Sequence, residues 1–291
     1  MSPRRIDLVY DATIQALSAT ADDALSKADC EGFPDWHEVV AWTERLKTLV
    51  LHQRDRSALR AELPALAERL QRFLGKVCLP VEADPEEISA RFIERLPEVR
   101  AKLAEDVEAA FEGDPAAKSF GEIVVAYPSI HAIAVYRLAH ELHDLGVLQI
   151  PRIMTEHAHA RTGIDINPAA KIGRRFFIDH GTGVVIGETC AIGDRVRLYH
   201  GVTLGAFSPR RGQTIRGTKR HPTIGDDVTI YPGATILGGT TVVGSGSVIN
   251  GNAYVTESVP PDSRVVAEPP RQEIRRKGPP ARDQLEMDWD I

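Results

Sequence analysis

The strongest constraint on the fold is a six-residue periodicity in the C-terminal half of the chain. Aliphatic residues recur there mostly at steps of six, and glycine or another small residue often follows each of them. The repeating positions are Ile172, Ile178, Ile186, Ile192, Leu198, Leu204, Ile224, Ile230, Ile236, Val243, Ile249 and Val255. Such hexapeptide repeats are a signature of a parallel β-helix.

The repeat has a simple physical interpretation. Three hexapeptides form one triangular coil, and each aliphatic residue points inward and stacks on its equivalent three repeats away. Glycine lets the chain turn at the corners at little conformational cost, and several coils must stack because one alone cannot bury its apolar face. Helices of this kind are left-handed, against the usual crossover rule. A β-sandwich, the alternative for a Gly- and Val-rich segment, does not explain the strict spacing.

The first half of the chain has the three- and four-residue apolar spacing of helices. Asp84-Pro85 and Asp114-Pro115 predict helix starts, because a capping side chain precedes a proline. Helices are expected at 35–53, 55–75, 85–112, 119–148 and 151–161. The predicted fold class is α+β, an N-terminal α-helical domain followed by a left-handed parallel β-helix of hexapeptide repeats. Its predicted parts are helices over 1–161, the β-helix over 162–262 and a flexible tail over 263–291.

Composition narrows the class of protein. Hydrophobic residues make up 43% and charged residues 26% of 291 residues, and the net charge of -6 gives no sign of nucleic-acid binding. Neither a signal peptide nor a membrane span of roughly 20 apolar residues is indicated. Cys30, Cys78 and Cys190 are far apart and odd in number, so a disulfide framework is not indicated and the cytoplasm is the simpler location.

Candidate sites lie where the repeat is interrupted, because insertions in a solenoid form surface loops. One break contains DHGTG (179–183), another is the loop 206–222, and a seven-residue step after Ile236 indicates a minor bulge. The long loop is basic and lacks acids; it could bind cofactor phosphates or be a solvated loop without a ligand. Its basic residues are Arg210, Arg211, Arg216, Lys219 and Arg220.

Two histidines occupy these breaks. His180 follows Asp179 in the first break and His221 ends the long loop, whereas His200 lies in a regular repeat. A histidine can act as a general base when a carboxylate fixes its tautomer, and Asp165 and Asp179 are candidates for that carboxylate. A structural role is the alternative for each histidine alone, but their shared position at breaks favours function.

Four segments together resemble the serine O-acetyltransferase family over roughly 110–271. They are DINPAAKIG (165–173), IDHGTGVVIGET (178–189), GVTLG (201–205) and KRHPTIGDDV (219–228), and DPA (114–116) agrees with them. The resemblance implies transfer of acetyl from acetyl-CoA to the L-serine hydroxyl, which gives O-acetyl-L-serine and CoA in cysteine biosynthesis. It also implies sites between adjacent β-helices of a homotrimer, or of a dimer of trimers.

The resemblance assigns a role to each candidate. His180 matches the general base, Asp165 the residue that orients it, and His221 a residue that holds serine. These roles suit the chemistry, since a serine hydroxyl is a weak nucleophile until a base accepts its proton. No covalent intermediate is needed, so Cys190 is expected to pack in the core. Asp114 and Asp179 are expected to bind the amino group of serine, and Arg220 is expected to bind its carboxylate.

The resemblance also places acetyl-CoA in a groove beneath the loop 206–222, with no metal expected. Lys219, with the rest of the basic loop, and Arg271 are expected to meet its phosphates. The positions that match the groove lining are Gly205, Ala206, Tyr231, Pro232 and Gly251. Three departures from the family pattern are Asn167 in place of histidine, the longer 206–222 loop, and AEPPR (267–271) in place of GVPAR.

The chain finishes at Ile291. In the family that the chain resembles, a C-terminal isoleucine inserts into O-acetylserine sulfhydrylase (cysteine synthase), so Ile291 is expected to bind that partner. Three other functions stay open from the residues: acetyl transfer to a sugar hydroxyl, a γ-class carbonic anhydrase with zinc on three histidines, and a non-catalytic scaffold.

Overall fold

The computed structural model describes residues 5–18, 33–207 and 212–267, and it confirms the predicted α+β architecture. Helices come first and parallel strands follow in three sheets. The α-helices of the described residues are α1 Arg5–Ser18, α2 Trp36–His52, α3 Arg56–Leu74, α4 Pro85–Gly113, α5 Phe120–Ala126, α6 Pro128–Asp144 and α7 Gln149–Thr162.

Local signals start several of these helices where the sequence predicts. The Asp84 carboxylate accepts a hydrogen bond from the backbone N–H of Glu86, and Pro85 occupies the first turn of α4. Between the helices, the fully buried Trp42 contacts two phenylalanine rings and donates its indole N–H to the Leu66 carbonyl at 3.0 Å. These contacts belong to an apolar core that continues into the β-helix.

Two helix predictions are wrong. The stretch 119–148 is not one helix: Tyr127 is extended (φ -76°, ψ 118°) and α6 starts afresh at Pro128, because proline disfavours helical geometry in the residue before it. Asp114 does not start a helix. Its Oδ1 accepts the N–H of Ala116 in a turn, and α5 begins later, behind a Ser119 cap. Helix α1 was not predicted.

The strands follow the six-residue repeat and are all parallel. Face A contains β1, β4, β7, β10 and β13, face B contains β2, β5, β8 and β11, and face C contains β3, β6, β9, β12 and β14. The strand bounds are β1 Asp165–Ile166, β2 Lys171–Ile172, β3 Phe177–Ile178, β4 Val185–Ile186, β5 Ala191–Ile192, β6 Arg197–Leu198, β7 Thr203–Gly205, β8 Thr223–Ile224, β9 Thr229–Ile230, β10 Thr235–Leu237, β11 Val242–Val243, β12 Val248–Ile249, β13 Tyr254–Val255 and β14 Arg264–Val265.

The strand register stacks the aliphatic residues in columns along the axis. Ile186 lies between Ile166 and Leu204, and Ile236 continues the column; all four are buried. Each buried aliphatic side chain contributes about 1.5–3 kcal/mol. The last strand, β14, ends at Val265, a few residues past the expected boundary at 262.

Two edges of this prism carry the candidate residues. The C-to-A corner joins face C to face A and consists of residues 179–184, 199–202, 231–234 and 250–253. The A-to-B corner joins face A to face B and consists of residues 167–170, 187–190, 206–207, 212–222 and 238–241. The described ends of the long loop therefore lie at the A-to-B corner.

Helix α6 covers the open end of the first coil. Its side chains bond the edge carbonyls: the Tyr136 hydroxyl donates to Ala170 O at 2.6 Å, and the Arg137 guanidinium donates to Gly173 O at 2.8 Å. Arg137 also forms a bidentate pair with Asp106 of α4, at 2.5 and 2.8 Å, and both side chains are buried. Asp106 in turn accepts the N–H of Phe176 at 2.9 Å. The helices and the β-helix are thus joined by a buried polar network.

The cysteines differ from one another. Cys190 is buried and free, and burial raises the pKa of its thiol to about 12, which agrees with the expected packing role. Cys78 is disulfide-bonded, which the sequence analysis did not expect. None of the described helices has both the length and the hydropathy needed to cross a bilayer.

Candidate active site

The first break in the repeat turns His180 outward. The two additional residues of this step put His180 at φ 59° and Gly181 at φ 101°. A Cβ at Gly181 would overlap the Ile164 side chain, so only glycine fits there. Arg195 and Asp227 at other corners share this left-handed conformation, so it belongs to the turns of the coil. Its side chain is 71% exposed, so the imidazole is available to a substrate.

Acidic groups surround His180 at the C-to-A corner. The Asp179 Oδ1 lies 3.8 Å from His180 Nδ1, and the positive charge of His180, when protonated, helps to lower the pKa of Asp114. The His200 ring, one coil further, lies edge-on at 5.6 Å between centroids. The arrangement can hold an ammonium group beside an imidazole.

Tyr127 belongs to this cluster, although the sequence analysis missed it. Its hydroxyl donates to Asp114 Oδ2 at 2.5 Å. This bond, and then the N–H of Ala116, hold the pKa of Asp114 below its usual value, whereas Asp114 raises the pKa of Tyr127 to about 12. Asp114 is therefore an anion at neutral pH. The sequence signal, a tyrosine before Pro128, indicated only a helix boundary.

Replacing Tyr127 with phenylalanine should raise KM for serine, the substrate that the sequence analysis expects at Asp114, by about three- to tenfold, the scale of one lost hydrogen bond. The pKa of Asp114 should rise, so that Asp114 becomes protonated, and the expected binding weakens, at a higher pH than in the wild type. The measurement is KM for that substrate from pH 5 to 8, with Tyr10→Phe on the exposed part of α1 as the control. An unchanged KM and pH profile would remove Tyr127 from the site.

His221 lies at the A-to-B corner and is only 9% exposed. Its ring rests on Gly187, where any Cβ would overlap the imidazole. Burial, and then the charge of Arg220, lower the pKa of His221 to about 4. Because the unfolded chain takes up this proton near pH 6.5, the contribution of His221 to stability is lost as the pH falls from about 6.5 to 4. His221 is neutral at physiological pH.

Cations accompany His221. The Arg220 guanidinium pairs with the Glu188 carboxylate and donates to Thr218 O at 3.4 Å. Lys219 Nζ donates to Thr189 O at 2.6 Å and to Pro222 O at 3.2 Å, and partial burial lowers its pKa. Arg210 and Arg211 lie outside the described residues.

The expected groove residues divide between the two corners. Gly205 ends β7 beside the A-to-B corner, where Ala206 and Lys219 lie, whereas Tyr231 and Pro232 lie at the C-to-A corner with Gly251. The Tyr231 ring, 40% exposed, stacks on Tyr199 at 5.1 Å and 6°. Arg271 lies outside the described residues.

Asp165 begins β1 on face A, opposite Val185 in the register. The contacts of the described residues include no hydrogen bond or ion pair between Asp165 and His180. The carboxylate nearest to the His180 Nδ1 by an ion-pair contact is that of Asp179. The structure therefore does not bring Asp165 and His180 into contact within one chain.

One cluster of the described residues has the composition of a metal site: Glu44, His131 and His157. Lys47 Nζ lies 2.5 Å from His131 Nδ1, and an ammonium can only donate, so the ring proton lies on Nε2, the atom that faces Glu44 at 3.5 Å. Glu44 accepts a hydrogen bond from Lys47 at 2.8 Å and contacts His157 Nε2 at 3.0 Å, whereas His131 Nε2 has no hydrogen-bond partner among the described residues. Within one chain, the three histidines of the zinc alternative do not converge, because His180 and His221 lie at different corners of the prism.

A parallel β-helix of hexapeptide repeats with histidines at its breaks is the arrangement expected of a hexapeptide-repeat acyltransferase. Known proteins make the class more specific. The plasmid serine acetyltransferase of Synechococcus elongatus is 57% identical over 182 residues, which cover 62% of this chain and 57% of that relative. The serine acetyltransferase of Bacillus pumilus is 45% identical over 169 residues, which cover 58% of this chain and 75% of that protein.

A solved structure agrees over nearly the whole chain. Serine acetyltransferase isoform 3 of Entamoeba histolytica, crystallised in complex with cysteine, has a TM-score of 0.70 and 30% identity, covering 94% of this chain and 96% of that one. No protein-family model matches the chain. The chain belongs to the serine acetyltransferase family.

Proposed function

We propose that the chain transfers the acetyl group of acetyl-CoA to the hydroxyl of L-serine, which gives O-acetyl-L-serine and CoA for cysteine biosynthesis. The observation that carries the proposal is the chemistry of the two corners. Asp114 and Asp179 stand beside the exposed His180, and Arg220 stands beside the neutral His221. An amino acid needs an anion for its ammonium, a cation for its carboxylate and a base for its hydroxyl.

A complete site requires two subunits. One face of a hexapeptide coil, roughly 15 Å of extended chain, separates His180 from His221 within a chain. Serine is too small to span that distance. We infer that the C-to-A corner of one subunit faces the A-to-B corner of the next, and that repeating this contact around a threefold axis closes a homotrimer. The groove residues divide in the same way, which supports acetyl-CoA binding between the same two corners.

The chemistry follows from the positions. Asp179 lies on the Nδ1 side of His180, which leaves Nε2 to accept the serine hydroxyl proton as the oxygen attacks the thioester carbonyl carbon. The carbon–sulfur bond then breaks, and the proton passes to the sulfur of CoA. Asp179 stabilises the imidazolium that forms between these steps. Asp165 is retained as a second orienting carboxylate, and Lys219 and Arg271 as contacts for the phosphates of acetyl-CoA.

Helix α1 supports a further level of assembly. It exposes an apolar stripe at helical spacing, formed by Ile6, Val9, Tyr10 and Ile14. An apolar helix face that the described residues leave exposed is typical of an interface. The helical region 1–161 is therefore assigned to oligomerisation, and a dimer of trimers is the assembly to compare with a trimer.

The decisive assay is thiol release from acetyl-CoA by the purified full chain with L-serine, homoserine, a galactoside or water as acceptor. Release that depends on serine supports the acceptor and the roles of Asp114 and Arg220. Release with the galactoside alone would favour the sugar acetyltransferase alternative and would leave only the His180 base in place. No release with any acceptor from an intact oligomer would favour a scaffold.

Deleting Ile291 should abolish binding to O-acetylserine sulfhydrylase, the proposed cytoplasmic partner. Ile291 lies outside the described residues, so the proposal rests on the family resemblance and on the apolar side chain of Ile291. Titration calorimetry of the full chain and the truncated chain measures the effect, and Asp290→Asn tests the flanking charge. Equal affinity of the two chains would contradict the proposal.

A further inference from the structure

Thr189 forms several hydrogen bonds to the end of the basic loop, although the proposed function gives it no role. Its Oγ1 accepts the backbone N–H of Arg220 at 2.9 Å and the backbone N–H of His221 at 3.0 Å. A hydroxyl oxygen has two lone pairs, and both are used here. The hydroxyl hydrogen is therefore left to donate, and its acceptor is His221 Nδ1 at 2.9 Å.

His221 Nδ1 accepts a second bond from the same residue. The backbone N–H of Thr189 points to this nitrogen at 3.1 Å. A ring nitrogen that faces two donors must offer its lone pair, so the ring proton lies on Nε2. Protonation of Nδ1 would place three hydrogens against one another in a buried site. The geometry thus selects one tautomer and disfavours the imidazolium.

The position of His221 depends on Thr189, because a long loop precedes it. The chain leaves face A after Gly205 and rejoins the prism on face B at Thr223. Near the end of the loop, Lys219 donates to the Thr189 carbonyl, and the backbone N–H groups of Arg220 and His221 donate to the Thr189 hydroxyl. Thr189 therefore fixes the last residues of the long loop against the preceding coil. Glycine at 187 gives the ring its place beside Thr189.

We propose that Thr189 is a positioning residue that holds His221 in its neutral form with the proton on Nε2, so that His221 donates a hydrogen bond to the substrate and accepts no proton. The inference rests on the proposed function, which places His221 in the serine site. The two histidines then have different roles: the exposed His180 accepts the proton, and the buried His221 orients serine.

The tautomer is tested directly by 15N NMR of the imidazole nitrogens in the full chain without substrate. Wild-type His221, assigned with His221→Gln, should show Nε2 protonated and Nδ1 unprotonated at pH 7, and should stay neutral down to about pH 5. Thr189→Ser keeps the hydroxyl and should give the same spectrum. In Thr189→Val, the pKa of His221 should rise toward its ordinary value.

Kinetics test the positioning role. Thr189→Val should raise KM for serine about tenfold to hundredfold. This is the scale expected when the backbone N–H groups of Arg220 and His221 lose their acceptor and His221 Nδ1 loses the hydroxyl donor. KM for acetyl-CoA should change little, because the Thr189 carbonyl still binds Lys219. Thr189→Ser should restore KM for serine. The matched control is Thr241→Val at the same corner, whose hydroxyl donates to Leu237 O and Thr256 O and contacts no candidate residue.

The outcomes separate this proposal from the proposed function. Nδ1–H in the wild type, or titration of His221 near pH 6.5, overturns the role of Thr189 even if serine is the acceptor. An unchanged KM in Thr189→Val does the same. Absence of serine-dependent release in the wild type overturns the proposed function, while the NMR result still decides the tautomer. If Thr189→Val does not fold, the wild-type titration and Thr189→Ser decide the question.

Discussion

Replacing His180 with alanine should lower kcat by about two or more orders of magnitude, the typical scale for losing a general base. The side chain is 71% exposed and lies next to Asp179, and the backbone at φ 59° holds it outward. KM for serine should change much less, because the two carboxylates and Arg220 remain. Steady-state release of CoA at saturating substrates measures the effect.

His200→Ala is the matched control, since its ring lies 5.6 Å from that of His180 on the next coil. It should cost less than about tenfold in kcat, because His200 has no carboxylate partner among the described contacts. Near-normal turnover of His180→Ala would refute the assignment of the base. A larger loss in His200→Ala than in His180→Ala would transfer that role to His200.

Asp106→Ala should lower the free energy of unfolding by about 3–5 kcal/mol, the cost of leaving a buried charge without its partner. Arg137 is 4% exposed in its side chain and would retain only the carbonyl contacts to the first coil. The N–H of Phe176 would also lose its acceptor. Urea unfolding at pH 7 and a fixed protein concentration measures the change, since subunit association also contributes to stability.

The control is Glu112→Ala, which removes a partner of Arg175 on the surface. Exposed pairs of this kind contribute about 0–1 kcal/mol. Equal destabilisation by the two substitutions would contradict the view that the buried pair joins the helices to the β-helix. Such a result would mean that the apolar contacts around the buried pair contribute more to the free energy of unfolding than the pair itself does.

The fold was predictable because one period governs it. An inward aliphatic residue every six positions leaves little freedom in where strands form, and Ile178, Leu198 and Ile230 stack as the repeat requires. The N-terminal half was less constrained. Apolar spacing alone did not show that Tyr127 leaves the helix before Pro128, or that Asp106 and Arg137 bury their charges.

The sequence indicated which residue types form the candidate site, but it did not indicate which of their side chains contact one another. His180 and His221 stand at breaks that the sequence reveals. Thr189, however, is 32 residues before His221, and the long insertion between β7 and β8 hides their contact in the repeat. Tyr127 was missed for a related reason, since its partner Asp114 belongs to a turn that the sequence assigned to a helix.

The cover that α6 places over the first coil has a consequence for assembly. The carbonyls of Pro168, Ala170 and Gly173 would otherwise form an open strand edge, ready to pair with the end of another copy. Their bonds to His140, Tyr136 and Arg137 satisfy that edge within the chain. Solenoids with an uncapped end can stack into filaments. Here the coil axis is blocked at that end, which leaves the sides of the prism as the surfaces for the proposed association in a closed ring.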